Sequence, residues 1–319
     1  MPYDIKADLY NYRPNASPNS INQYASTLNK LYKYIWNDPM TSLDWVCDPE
    51  IVEKVMGFLE LYASPTKRNY LNAIIVAQKG VGGADQALIE TYEALRDQYH
   101  DEYLATQKTL TPKQETNWVP WSSILQVVEA YKKTYTDLEP EGPAAFKILS
   151  ELVLLLLYTE MPPIRNDYGN VKLISRENYK VLPTSAKAGL NMLVMTGEEP
   201  SYFVLNEYKT SKTFGEVEIA IPPSVKKWIK LWLMYNETGW LLIGGRNKTT
   251  PLGSNGITIK LRAIFKKHLG KNISTNMLRH IYVSERYGTT LAAMNEDAVA
   301  MLHDQKTQQK VYIKNVGSK

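Results

Sequence analysis

Three of the four histidines, His268, His280 and His303, fall in the last 52 residues of this 319-residue chain, among Arg262, Arg279, Lys306 and Lys310. Two short stretches stand out there, Asn276-Met277-Leu278-Arg279-His280 and Met301-Leu302-His303-Asp304, and Tyr312 follows His303 by nine residues. Upstream, Arg165 stands just after Pro162-Pro163 at the end of an apolar segment, and Lys209 opens a polar turn. Guanidinium forks and ammonium groups suit an anionic partner, and the charge distribution agrees. The net charge of +4 conceals a split: residues 1–200 hold 19 Lys and Arg against 25 Asp and Glu, whereas residues 201–319 hold 18 against 8. A basic excess of +10 over one region favours a polyanion, because neutralised phosphates release counterions. A solvated lysine face without any partner is the alternative on charge alone.

Other chemistries are excluded by motif. There is no G-x-x-x-x-G-K-[ST] phosphate loop, no G-x-G-x-x-G after a strand, no G-x-S-x-G elbow and no H-E-x-x-H metal spacing. Gly80-Val81-Gly82-Gly83 lies between two helical patterns and reads as a turn. Cys47 is the single cysteine, which rules out an internal disulfide framework and a Cys-rich zinc site. No metal and no cofactor are expected. With 44% apolar and 22% charged residues the composition is that of a globular protein. The longest apolar run, Leu152–Tyr158, is far short of the roughly 20 residues of a membrane span. Asp4, Lys6 and Asp8 leave no secretory signal visible, so the expectation is a soluble, reduced, intracellular protein with no membrane association.

The elements that must carry these residues are mostly helical. The first ten to sixteen residues read as a tail. Apolar residues then recur at helical spacing (Ile21, Tyr24, Leu28, Leu31, Ile35), with Ser20 as N-cap. A short helix with Ile51, Val55, Phe58 and Leu59 follows, then one opened by Ser64-Pro65, then one holding Leu88, Tyr92, Leu95 and Tyr99. This four-helix unit covers residues 1–108. Polar residues 109–117, with Pro112 and no apolar period, read as a linker to a second domain over 118–319. There, helices at 121–136 and 143–159 precede four β-prone segments, Asn170–Ile174, Met192–Met195, Tyr202–Tyr208 and Val217–Ile221. The last two should pair as a hairpin across Lys209–Glu216. Beyond Pro222-Pro223 the pattern is helical. The fold class is therefore mainly α, with one small antiparallel sheet in the second domain.

Taken in order, these residues resemble the tyrosine recombinase (site-specific integrase) family. That family places an arginine after a buried helix, a lysine in a β-hairpin, an H-x-L-R-H-like box, a G-H-like box and a nucleophilic tyrosine nine residues further on. The matching residues are Arg165, Lys209, Asn276 to His280, His303 and Tyr312. The segments Pro162–Tyr168 and Tyr208–Gly215 look most like integrases of large DNA viruses, virophages and related mobile elements. The resemblance covers nearly the whole chain and implies that the N-terminal unit is a core-binding domain. It implies Tyr312 as nucleophile forming a 3′-phosphotyrosine, Arg165 and Arg279 on the non-bridging oxygens, Lys209 as general acid to the leaving 5′-oxygen, and His303 hydrogen-bonded to the phosphate. Lys212 shares the hairpin turn with Lys209 and competes for its role. His280 is expected to orient its helix more than to touch DNA. Lys260, Arg262, Lys266 and Lys267 on one helix are expected to meet phosphates, and Lys67, Arg68 and Lys79 are candidate backbone contacts in the first domain.

The chain departs from the family pattern in three places. Asn276 stands where the box begins with histidine, and an amide cannot take up the tyrosine proton. Leu302 stands where glycine usually precedes the second histidine. Tyr168 occupies a position that is often acidic, with Asp167 one residue earlier. The resemblance implies double-stranded DNA as partner, a homotetramer on two duplexes, no small-molecule substrate, and a site of action wherever the DNA is, in a host nucleus or cytoplasm. Only seven residues follow Tyr312, so no long exchanged tail is expected. Type IB topoisomerases share the Arg-Lys-Arg-His-Tyr chemistry and are the rival enzyme; an inactive DNA-binding descendant of a recombinase is the non-enzymatic rival.

Overall fold

The computed structural model describes residues 3–107, 109–244 and 249–301. The chain divides into two compact units, residues 1–111 and 112–319, and 67% of it is helical. The mainly α class holds.

In the first unit the chain begins with a helix, not a tail. Helix α1 (Ile5–Tyr12) is capped by the Asp4 carboxylate, which accepts from the amides of Lys6 and Ala7. Ile5 and Leu9, one turn apart, are buried. Two apolar residues among Tyr, Asn and Asp are too few to register as a period, and so the sequence pattern missed it. Helix α2 (Pro18–Trp36) starts two residues before the expected cap: Ser17 accepts from Ser20 N–H, and Pro18 takes the first helical position. Its buried stripe is Ile21, Ala25, Leu28 and Leu31. Helices α3 (Val52–Leu59), α4 (Ser64–Val81) and α5 (Gln86–Thr106) complete the unit. Gly80 in α4 has no room for a side chain, since a Cβ would sit 1.9 Å from the Tyr12 ring that covers it. Buried Gln78 donates to the Val46 carbonyl at 2.8 Å and pins the connection between α2 and α3.

The second unit opens with helix α6 (Pro112–Asn117), within the stretch expected as linker. Its end is docked by side chains: Asn117 accepts from Asn272 N–H at 2.7 Å, and Lys271 donates to the Thr116 carbonyl at 2.6 Å. Polar docking of this kind leaves no apolar signature, which is why the sequence shows only a polar stretch. Helix α7 (Trp121–Leu138) packs on α8 (Gly142–Thr159). Helix α8 is long and apolar enough to cross a membrane, yet 61% of it is buried in the protein, and Leu152 to Tyr158 are wholly inaccessible. Its hydrophobicity serves a core helix packed on several sides.

A four-stranded sheet follows, β1 (Val171–Ser175), β2 (Asn191–Thr196), β3 (Glu199–Leu205) and β4 (Val217–Ala220), in that spatial order. It is mixed, not antiparallel as expected: β1 runs parallel to β2, with Val171 opposite Asn191. The reason is the connection, because helices α9 (Arg176–Val181) and α10 (Thr184–Lys187) carry the chain back across before β2 begins. Strands β2, β3 and β4 are antiparallel, as the hairpin spacing predicts. Leu193 and Phe203, paired across β2 and β3, enter the main core; Met192, Val194 and Val204 face the other way and pack with Tyr179 of α9. Helix α11 (Ser211–Phe214) forms the turn between β3 and β4. Then come α12 (Pro223–Leu233), the short strands β5 (Ile243–Gly244) and β6 (Thr250–Pro251), α13 (Gly253–Leu269) and α14 (Thr275–Ala300).

Candidate active site

The site is built around the turn Asn166–Asn170, which leaves α8 and enters β1. Helix α8 cannot continue into Pro162-Pro163, which lack amide donors. The buried end of α8 reaches over the break: the Tyr158 hydroxyl donates to the Arg165 carbonyl at 2.7 Å. Tyr158 and Tyr168 meet edge to face at 5.6 Å, and Tyr168 meets Phe203 at 5.1 Å. Tyr168 is thus a core residue whose backbone anchors the turn. Close packing reinforces this, since a Cβ on Gly169 would lie 2.5 Å from the Gly253 backbone at the start of α13.

Two asparagines tie this turn to the other elements. Asn166 accepts from the Thr275 hydroxyl at 2.6 Å and donates to Thr258 Oγ1 at 3.1 Å, joining the Arg165 turn to both α14 and α13. Asn191, 4% exposed, makes four hydrogen bonds. Its amide donates to the carbonyls of Asp167 (3.2 Å) and Glu207 (2.8 Å), and its oxygen accepts from the amides of Asn206 (3.0 Å) and Glu207 (2.9 Å). The exit of β3, two residues before Lys209, is thereby fastened to the turn that presents Arg165.

Arg165 and Arg279 both bear electrostatically on Asp167. Burial raises the Asp167 carboxyl above its ordinary range, and the charges opposing that rise are Arg165 and Arg279, while Glu207 adds to it. Both guanidiniums therefore act on one half-buried carboxylate. Arg279 also opposes the upward shift that burial imposes on the Tyr158 hydroxyl. Asn276, Arg279, His280 and Val283 share one face of α14 and line an open cleft of about 360 Å³ with Pro162 and Pro163. Arg165 is exposed and Arg279 half-buried, so at least one fork is free for an incoming anion. Asn276 and His280 are exposed on that cleft.

Lys209 and Lys212 are both exposed on the β3–β4 turn, with no ion-pair partner among the described residues. His303 and Tyr312 lie outside the described residues. No group of three or more His, Cys, Asp or Glu that could hold a metal occurs among the described residues. No family model matches this chain, and no curated protein does.

Several expected phosphate contacts are otherwise engaged. Lys260 is half-buried and donates to Ser150 of α8 at 3.1 Å, so it braces α13 on the core helix instead of standing on the surface. Lys266 donates to the Gly270 carbonyl at 3.2 Å, closing the end of its own helix. Arg262 and Lys267 are exposed. In the first unit Lys67 pairs with Glu60 at 3.0 Å and lies over the Tyr99 ring, Lys79 pairs with Glu93 at 2.8 Å, and half-buried Arg68 helps to hold the Asp97 carboxyl below its usual range behind the larger effect of Arg96. His268 packs its ring on Tyr131 at 5.3 Å, and burial lowers its pKa. The sequence pattern overlooked Asn166, Asn191, Tyr158 and Thr275. Of these only Asn191 left a readable sign, a lone amide opening a run of apolar β residues, where asparagine is disfavoured.

Proposed function

We propose that this chain cleaves and rejoins DNA in the manner of a tyrosine recombinase. The observation that carries the reading is geometric: Arg279 lines one cleft with Pro162 and Pro163, two residues before Arg165, and the Lys209 turn is fastened to the Arg165 turn through Asn191. Two guanidiniums from elements far apart in sequence, brought to one cleft, suit a dianionic transition state at phosphorus.

In the first step the Tyr312 oxygen attacks the scissile phosphorus. The Tyr312 O–P bond forms, the P–O5′ bond breaks, the phenolic proton leaves and Lys209 supplies a proton to the departing 5′-oxygen. A phenol with a pKa of about 10 is protonated at neutral pH, so its proton leaves during attack. Asn276 can hold a phosphate oxygen but is no base, and solvent takes that proton. In the second step a 5′-hydroxyl from a partner duplex attacks the phosphotyrosine and gives its proton back to Lys209. The new P–O5′ bond forms as the Tyr312 O–P bond breaks, and solvent returns a proton to the tyrosine oxygen. One phosphodiester replaces another, so the exchange consumes no nucleotide. Joining two duplexes requires four such sites, hence four chains on two DNAs.

The test uses a duplex that the chain itself selects from a randomised pool, nicked beside the cleavage position so that the short product diffuses away. Wild type becomes covalently attached to this DNA and Tyr312→Phe does not. Binding without attachment by wild type would make the chain a DNA-binding protein. Relaxation of supercoiled plasmid by monomers, without joining of two duplexes, would make it a topoisomerase.

A further inference from the structure

The chain has five phenylalanines. Phe58, Phe203 and Phe265 are buried, and Phe146 packs against the core of the second unit. Phe214 is the exception, 68% exposed at the last position of α11. A single exposed apolar side chain is ordinary; its setting here is not. The tip Tyr208-Lys-Thr-Ser-Lys-Thr-Phe-Gly215 carries two exposed lysines and no acid. Its backbone is closed on itself: Ser211 N–H donates to Tyr208, Phe214 N–H to Thr210 and Gly215 N–H to Ser211, at 3.0, 3.2 and 2.8 Å. The Tyr208 hydroxyl adds a bond of 2.7 Å to the Gly215 carbonyl. Gly215 has φ +68°, a conformation that costs other residues energy, so the chain reverses immediately after Phe214. The ring is thus presented at the apex of a pre-ordered turn, and little conformational freedom remains to be lost when it meets a surface.

We infer that Phe214 is a wedge that enters a DNA groove and unstacks a base step next to the phosphate handled by Lys209. This rests on the DNA-cleavage reading above and adds to it the way in which the duplex is distorted. The chemistry is complementary on both sides. Lysines flanking the ring meet the backbone phosphates, while the apolar ring replaces the stacking contact that the opened step loses. Asn191 fastens the root of this turn to the Arg165 turn, so the opened step would lie close to the reacting phosphorus.

The experiment measures binding of the full chain to two 30-base-pair duplexes of identical sequence, one fully paired and one with a central T·T mismatch, by fluorescence anisotropy over a salt series. A wedge favours the duplex whose step is already loosened. Wild type is expected to bind the mismatched duplex about ten-fold more tightly. Phe214→Ala should bind both equally with an unchanged salt slope, and Phe214→Trp should keep the preference. An equal mismatch preference in wild type and Phe214→Ala, or none in wild type, would overturn the wedge while leaving DNA binding intact. Loss of self-association in Phe214→Ala, with the mismatch preference unchanged, would assign the ring to a contact between copies and also overturn it. Failure of wild type to bind either duplex would overturn the DNA reading itself.

Discussion

Replacing Asn191 by alanine separates the positioning of Lys209 from the folding of the sheet. The side chain is almost fully buried and satisfies four backbone groups on two segments, the Asp167 turn and the exit of β3. A buried polar group left without its partner costs about 1–3 kcal/mol. The β3 exit lies near the surface, where water can replace part of the loss, so the expected total is about 2–4 kcal/mol, which a domain of ordinary stability survives. The catalytic effect should be larger in proportion. A displacement near 1 Å of a reacting group costs on the order of 100-fold in rate, so single-turnover cleavage should fall by about that factor, with DNA affinity within about three-fold of wild type. Urea unfolding gives the first quantity and a nicked duplex the second. A second substrate with sulfur in place of the bridging 5′-oxygen sharpens the result, because a thiolate leaves without protonation. On that substrate Asn191→Ala should recover most of its lost rate. Reduced stability with undiminished cleavage of the ordinary duplex would refute the claim that Asn191 holds the lysine in place.

The same sulfur substrate distinguishes the two lysines of the turn: Lys209→Ala should be rescued by it, whereas Lys212→Ala should lose DNA affinity and show no rescue. Burial raises the Asp167 carboxyl, so folding favours its neutral form; that group's contribution to stability declines as pH rises from the ordinary carboxylate range through the raised folded value. Asp167→Asn should therefore melt above wild type at pH 7, with the difference vanishing toward pH 3, and thermal melts against pH would show it. Lys260→Ala should lower stability through its lost bond to Ser150 and leave the salt dependence of DNA binding unchanged, while Arg262→Ala should reduce the slope of log K against log salt by about 0.9 and leave stability alone.

The elements with a clear apolar period were legible in the sequence. The stripe of α2, the continuous apolar run of α8 and the apolar residues of β2 each state their burial directly. Helix α1 was hidden because two buried residues and an aspartate cap carry it, and α6 because its docking is polar. The parallel pairing of β1 with β2 depends on the path of α9 and α10, which strand patterns do not encode. Within the site, Arg165, Lys209 and Arg279 are candidates singled out by the resemblance to the recombinase pattern. The hydrogen bonds around them are not legible there: Asn166 looks like any other asparagine, and Asn191 shows only an amide out of place before apolar β residues, until Thr258, Thr275 and Glu207 are brought beside them. The partners of the basic residues were hidden for a related reason. A lysine on a helix shows its charge in the sequence but not its partner, and Lys67 and Lys260 both have one.

The central claim is that Arg165 and Arg279 act together on one phosphate in the transition state. The direct test is single-turnover cleavage and equilibrium binding for Arg165→Ala, Arg279→Ala and the double variant. Each single change should slow cleavage by ~100-fold or more, with binding nearly intact. Side chains that share one phosphorus are coupled, so the double variant should lose clearly less than the product of the two single losses. Parallel losses of binding and cleavage, or strictly multiplicative losses in the double variant, would contradict the account.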